Sequence, residues 1–206
     1  MANDAWFDDK SILIIDKEIK NQNDRTWCFW EEQNGEFDSI LSKTWEKAFI
    51  GNQDFQQSFE MNPYLYKMIR SSDFYKLVFD TISSKSNFTF EKDEILSWKT
   101  IEKSVEIKGK NQTYTSNFLL NSFFDVNPIL NQNKYPYLKQ HFIGWFIKTK
   151  EAIFDDSEVK FMDFTIEQSG NTRFMYVLPT SKTEALFEYT LFSEDVLEKV
   201  EYETAI

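Results

Sequence analysis

Apolar residues in this chain come mostly in short, strand-sized runs. Residues 11–15, Ser-Ile-Leu-Ile-Ile, form a continuous run closed by Asp16, the pattern of a strand covered on both faces. Residues 73–84 instead carry a helical stripe of Phe74, Leu77, Val78, Thr81 and Ile82 behind Asp73 as a cap. Strands at 87–90 and 104–108, a turn at 109–112 and a strand at 113–122 then predict a meander. The last third predicts four successive strands, in HFIGWFIKTK (141–150), EVKFMDFTIE (158–167), TRFMYVLPT (172–180) and TEALFEYTLFS (183–193). A second helix is expected behind Ser193, with two acids in its first turn and no stop signal before the last residue. Residues 1–9 read as the tail of a helix, 17–62 as irregular, and 126–136 as a loop marked by Pro128 and Pro136.

Composition narrows the chemistry. The 21 Phe, 9 Tyr and 6 Trp suggest a large apolar core or an apolar cavity. Glycine is scarce, at 5 in 206 residues, and no Gly-rich phosphate loop is present. A net charge of −11 without a basic stripe excludes a nucleic-acid binder. A single cysteine excludes an internal disulfide and suits a reducing cytoplasm. No apolar run reaches the ~18 residues of a membrane span, and the N-terminus lacks the pattern of a signal peptide. One histidine rules out a multi-histidine metal site, and the carboxylates lack calcium-loop spacing, so no metal is expected.

Asp16 closing Ile-Leu-Ile-Ile is what the second strand of a dinucleotide-binding βαβ unit presents, where the acid holds the adenosine ribose. Any strand can also end in Asp. A first strand and its G-x-G-x-x-G turn would lie upstream of Ser11, where nothing in the sequence supplies them, so both ends of the chain look cut.

A longer pattern joins these pieces. ILIIDKE…NDRTWCFW, NPYLYKMIRSSDFYKLV, QHFIGWFIKTK, FMDF and NTRFMYVLPTSKTEALFEYTLF follow one another in this order. Together they resemble the flavin-dependent lycopene cyclase family of carotenoid biosynthesis, over about residues 10–193. The resemblance implies a mixed α/β (α+β) fold: a partial, Rossmann-like FAD/NAD(P)-binding domain with an antiparallel β-sheet substrate domain, as in hydroxylase-like flavoproteins, truncated at both ends. It divides the chain into a partial FAD-binding portion (1–85), a meander returning to that domain (86–125), a substrate-binding sheet (126–193) and the start of a helix (194–206). It implies reduced FAD in a non-redox role, with NAD(P)H as reductant and no tight binding to this piece alone. The implied substrate is lycopene or a related linear carotenoid, and the implied location is cytoplasmic, at the membrane surface; the apolar side chains around 124–145 are the expected contact.

Residue by residue, the resemblance makes Glu188 the acid. Pro179, Ser181, Glu188 and Thr190 match the family's spacing, whereas Tyr189 replaces the acidic residue expected next to Glu188. Strand alternation puts Ala185, Phe187, Tyr189 and Leu191 on one face and Glu188 on the other, where apolar surroundings would raise its pKa. The plain alternative is a solvated strand residue. Asp163 carries over as a group that supports the acid from behind or accepts a proton, or else as a structural acid. Asp16, Arg25 and Arg70 are candidate FAD contacts; Arg25 could equally pair with an acid, and Arg70 could be a surface charge. Trp27, Phe29, Trp30, Tyr176 and Tyr189 are candidate substrate contacts, and Trp27, Cys28, Phe29 and Trp30 could equally be a buried strand. His141 reads as a core or hydrogen-bonding residue, with a Cys28/His141 pair as the catalytic alternative. The implied reaction is an acid-catalysed, redox-neutral closure of the linear ends of lycopene into β-ionone rings. Competing readings are another flavin-dependent isoprenoid enzyme of the same fold and a noncatalytic polyene- or lipid-binding module.

Overall fold

The structure, a computed structural model, describes residues 1–206. In chain order its strands and helices are β1 (Ile12–Asp16), β2 (Thr26–Glu32), β3 (Leu41–Trp45), β4 (Lys47–Gly51), β5 (Gln56–Glu60), β6 (Tyr64–Arg70), α1 (Ser71–Ser83), β7 (Phe88–Lys92) and β8 (Ile95–Ile101). There follow β9 (Ser104–Gly109), β10 (Thr113–Ser116), α2 (Asn127–Leu130), β11 (Lys139–Lys148), β12 (Glu158–Asp163), β13 (Thr172–Ser181), β14 (Glu184–Ser193) and α3 (Lys199–Ala205). The chain forms two compact units, one of residues 1–26 and 70–125, the other of residues 27–69 and 126–206.

In the first unit β1 and β7 pair in parallel, Ile12 opposite Phe88 and Asp16 opposite Lys92. Helix α1 leads into β7, and Phe79 packs edge-on against Phe90 at 5.2 Å between centroids. Such a parallel pair needs a crossover, and here α1 provides its last element. Strands β8, β9 and β10 form a separate antiparallel meander. Its corner is organised by buried Asp93, which accepts hydrogen bonds from the Glu94 and Lys110 N–H groups (2.8 and 3.1 Å) and the Tyr114 hydroxyl (2.9 Å). Burial pushes this carboxyl up, but the Tyr114 hydroxyl and the backbone donors outweigh it and hold the pKa below the ordinary range. A Cβ at Gly109 would lie 2.1 Å from Asp93 Oδ2, so the turn requires glycine.

The second unit is built on a six-stranded sheet of order β11-β14-β13-β12-β4-β5 and a three-stranded sheet of order β2-β6-β3. One face of the large sheet contributes Val159, Leu178 and Leu186 to a core with Trp45, Tyr66 and Met68 of the small sheet. The Trp45 indole N–H donates to the Pro179 carbonyl at 2.9 Å, tying the two sheets together. The opposite face contributes Met175, Val177, Ala185, Tyr189 and Leu191 to a second core, closed by Tyr202 of α3. The outer side of the small sheet holds a buried lysine: Lys67 Nζ donates to Glu31 (2.9 Å), Asp38 (2.6 Å) and the Gln33 carbonyl (2.6 Å). Two acids and a carbonyl satisfy all three ammonium protons, which makes its burial tolerable.

The four strands expected in the last third are present as β11–β14, as are α1, β7 and β9. Residues 17–62 are not irregular: they hold β2, β3, β4 and β5. Residues 27–69 group with the large sheet, whereas the sequence reading kept 1–85 together. Residues 1–9 form one 3-10 turn, Ala5–Phe7, and β10 stops at Ser116. Asp73 sits in the first turn of α1 but does not cap it. Helix α3 begins at Lys199, behind a capping box of Glu198 and Glu201, and Ser193 ends β14 instead.

Candidate active site

Strand β14 alternates as its sequence requires. Leu186 joins the core under the small sheet, and Ala185, Tyr189 and Leu191 join the core under α3. Glu188 shares the Leu186 face. Its direct neighbours across the ladder are Tyr176 on β13 and Gly144 on β11. A Cβ at position 144 would lie 2.9 Å from Glu188 Cγ, so this glycine leaves room for the glutamate beside it. Gly144→Ala is expected to push the carboxyl aside and lower turnover by roughly 10²-fold, the scale of a 1 Å misplacement. Comparing the variant's turnover number and flavin content with those of the unsubstituted protein checks this.

Aromatic rings surround this point. Tyr66 of β6 lies 4.8 Å from Trp30 and 5.6 Å from Phe161, and Phe161 lies 5.9 Å from Tyr176, all between centroids. The Tyr66 and Tyr176 hydroxyls are hydrogen-bonded to each other. Cys28 packs against the same core. Burial pushes the Cys28 thiol up to about 11, against the opposing hydrogen bonds from Tyr176 and Tyr66 and with help from the Glu188 charge. Burial also raises the pKa of both phenols, so thiol and phenols are neutral at physiological pH. Glu188 has no ion pair in the structure, and burial alone raises its pKa above the ordinary carboxylate range. The arrangement can hold a proton on a carboxylic acid that faces π surfaces, with no fixed anion nearby to quench a cation.

Of the residues expected at the site, Glu188, Tyr176 and Trp30 meet here. Trp27 and Phe29 alternate to the other face of β2, the side of Lys67, where Phe29 packs edge-on against Phe37 at 6.3 Å. Tyr189 lies on the other face of the large sheet, where its hydroxyl accepts from Arg173 at 2.9 Å. Asp163 pairs with Met175 of that same opposite face, and its Oδ1 accepts from the Thr165 N–H and hydroxyl at 3.0 and 2.5 Å. It therefore closes a turn and does not reach Glu188. His141 binds the hydroxyls of Ser193 (2.8 Å) and Tyr202, so it forms no pair with Cys28. Tyr66, Phe161 and Gly144 were not singled out from sequence. A glycine inside a strand pattern marks a close approach, and that signal was available at Gly144.

The candidate cofactor contacts lie in the first unit. Asp16 ends β1 and accepts from the Glu18 N–H at 2.9 Å, with Lys20 Nζ at 3.7 Å. These contacts engage Oδ1, leaving Oδ2 for a ribose hydroxyl. The Arg25 and Arg70 side chains are exposed. Arg25 is anchored through its backbone, donating to Ser71 Oγ (2.9 Å) and accepting from the Ser71 N–H (3.0 Å). Buried Ser71 also donates to Asp24 at 3.0 Å. These residues suit the adenosine and phosphate parts of a dinucleotide, although the chain has no G-x-G-x-x-G turn. No group of three or more His, Cys, Asp or Glu side chains is arranged to hold a metal ion.

This architecture is that of FAD-dependent hydroxylase-like flavoproteins. The solved structures it resembles include a geranylgeranyl bacteriochlorophyll reductase-like protein of Thermoplasma acidophilum (TM-score 0.56, 12% identity, 94% of this chain and 53% of that one). A Klebsiella pneumoniae HpxO variant complexed with FAD is similar too (TM-score 0.52, 8% identity, 78% and 44%). So is the halogenase PltM in complex with phloroglucinol and FAD (TM-score 0.51, 7% identity, 81% and 39%). The chain thus spans about half or less of the length of these proteins. In sequence, the family model described as "Lycopene cyclase protein" matches residues 8–206, and the chain belongs to that family. No curated protein matches it in sequence.

Proposed function

We propose that the protein carrying this chain is a lycopene β-cyclase in which Glu188 is the general acid. The observation that carries this reading is the half-buried Glu188 carboxyl, without an ion pair, held against Tyr176, Tyr66 and Phe161 and given room by Gly144. The Glu188 carboxylic acid donates its proton to the terminal double bond of a linear carotenoid end. The neighbouring double bond supplies its electron pair to the resulting cation, closing a six-membered ring. Loss of a proton then restores neutrality and leaves a β-ionone ring, with no net redox change. The rings of Tyr66, Tyr176, Phe161 and Trp30 face the developing cation, each worth roughly 0.5–2 kcal/mol. Asp16 would hold the ribose of FAD, and Arg25 and Arg70 its phosphates or flavin oxygens. Reduced FAD, with NAD(P)H as its reductant, would supply negative charge that favours a cation. The carotenoid is drawn from the cytoplasmic membrane surface, and exposed Leu138, Phe142 and Phe146 are suited to that contact. No helix is long and apolar enough to cross a membrane.

The test is ring formation from lycopene by the full-length protein, followed across pH. Because burial raises the Glu188 pKa, the active protonated form persists above the usual carboxylate range. kcat/KM should be flat on the acid side of the raised pKa and fall as pH rises through it. A rate that increases through that range contradicts an acid role for Glu188.

A further inference from the structure

The Tyr66–Tyr176 hydroxyl pair governs which proton the ring-closed cation loses, and so selects the β ring: this we propose as a property of the site, resting on the acid role of Glu188. Once the ring has closed, the cationic carbon has three neighbours that carry removable protons. Loss from the carbon bearing the polyene gives the β double bond. Loss from the other ring carbon or from the methyl group gives the ε or the exocyclic isomer. In each case a C–H bond breaks, its electron pair becomes the new double bond, and only the place of the acceptor differs.

The geometry supplies a fixed acceptor. Tyr176 stands directly across the ladder from Glu188 on the same face. Its hydroxyl is held in place by its bond to the Tyr66 hydroxyl. Tyr66 is held in turn between Trp30, at 4.8 Å, and buried Trp45, at 6.0 Å. Phe161 and Trp30 beside the pair offer no proton-accepting oxygen. With Tyr66 donating in that bond, the Tyr176 oxygen takes the proton while its own hydroxyl proton passes to the Glu188 carboxylate, its neighbour across the ladder, which restores the acid. Burial keeps both phenols neutral, so neither presents a phenolate that would capture the cation.

The experiment uses the full-length protein in lycopene-accumulating bacteria, with ring isomers separated by chromatography and identified by NMR. Tyr176→Phe should still close rings, with turnover lowered about 10-fold or more and the share of ε and exocyclic isomers raised about as much. Tyr66→Phe should shift the isomers in the same direction, and it carries the test if Tyr176→Phe fails to fold. Exclusively β product at unchanged turnover from the folded Tyr variants overturns the proposal, while an inactive Glu188→Gln beside them leaves the acid role intact. An unsubstituted protein that closes no rings overturns both.

Discussion

Glu188→Gln abolishes ring closure, with a loss of at least about 10²–10⁴-fold, the range general acids contribute, while the protein stays folded and keeps its flavin. The amide has the shape of the carboxylic acid but no proton acidic enough to add to an alkene. Stability should move the other way. Burial raises the folded-state pKa of Glu188 above its unfolded value. The group therefore favours folding below its ordinary pKa, and that contribution is lost as pH rises through the folded pKa. At neutral pH the uncharged glutamine avoids this cost, so the inactive variant should melt at or above the temperature of the unsubstituted protein. A combined assay of carotenoid products, flavin absorbance and thermal melting reads all three. A variant that is inactive because it is unfolded, or one with full activity, speaks against the assignment.

Trp45→Ala is the second large effect, and it acts on stability. Trp45 is fully buried between the two sheets of its unit and donates to the Pro179 carbonyl at 2.9 Å. Truncating such a residue costs about 3–5 kcal/mol through lost burial and the cavity left behind. The Pro179 carbonyl also loses its partner, a further roughly 1–3 kcal/mol. Trp45→Phe retains much of the packing and isolates the hydrogen bond, so it should fall between the two. Urea unfolding followed by circular dichroism measures both. Trp45 also supports Tyr66, so whatever Trp45→Ala protein folds should turn over more slowly.

The most legible part of the fold was that which buries alternate residues. Strands β11–β14 read correctly because each carries long stretches with one apolar face toward a core. The same rule placed Glu188 opposite Tyr189, as the structure does. Strands β2–β5 were missed for identifiable reasons. Strand β5, Gln-Gln-Ser-Phe-Glu, is exposed at every position and carries no alternation. Strand β2 makes aromatic contacts on both sides, Trp30 with Tyr66 and Phe161 and Phe29 with Phe37, so its aromatics run consecutively. That coverage explains the Trp-Cys-Phe-Trp stretch: Cys28 and Trp30 reach the site, and Trp27 and Phe29 do not. A lysine such as Lys67 ordinarily stays at the surface, and its burial depends on the distant Glu31, Asp38 and Gln33 carbonyl. The Ser193 cap lost to the Glu198–Glu201 capping box further along. Of the site, Glu188, Tyr176 and Trp30 were legible, whereas their assembly with Tyr66 and Phe161 depends on pairing between distant strands.

The account turns on one event, transfer of a proton from Glu188 to carbon, and an isotope reports it directly. With the enzyme equilibrated in D2O and supplied with unlabelled lycopene, the acid carries deuterium when it acts. In a single turnover, with enzyme in excess, the first ring formed should then hold one deuterium at the former terminal alkene carbon, located by NMR and counted by mass spectrometry. A first-turnover ring without deuterium at that carbon would contradict protonation as the initiating step, and with it the role of Glu188.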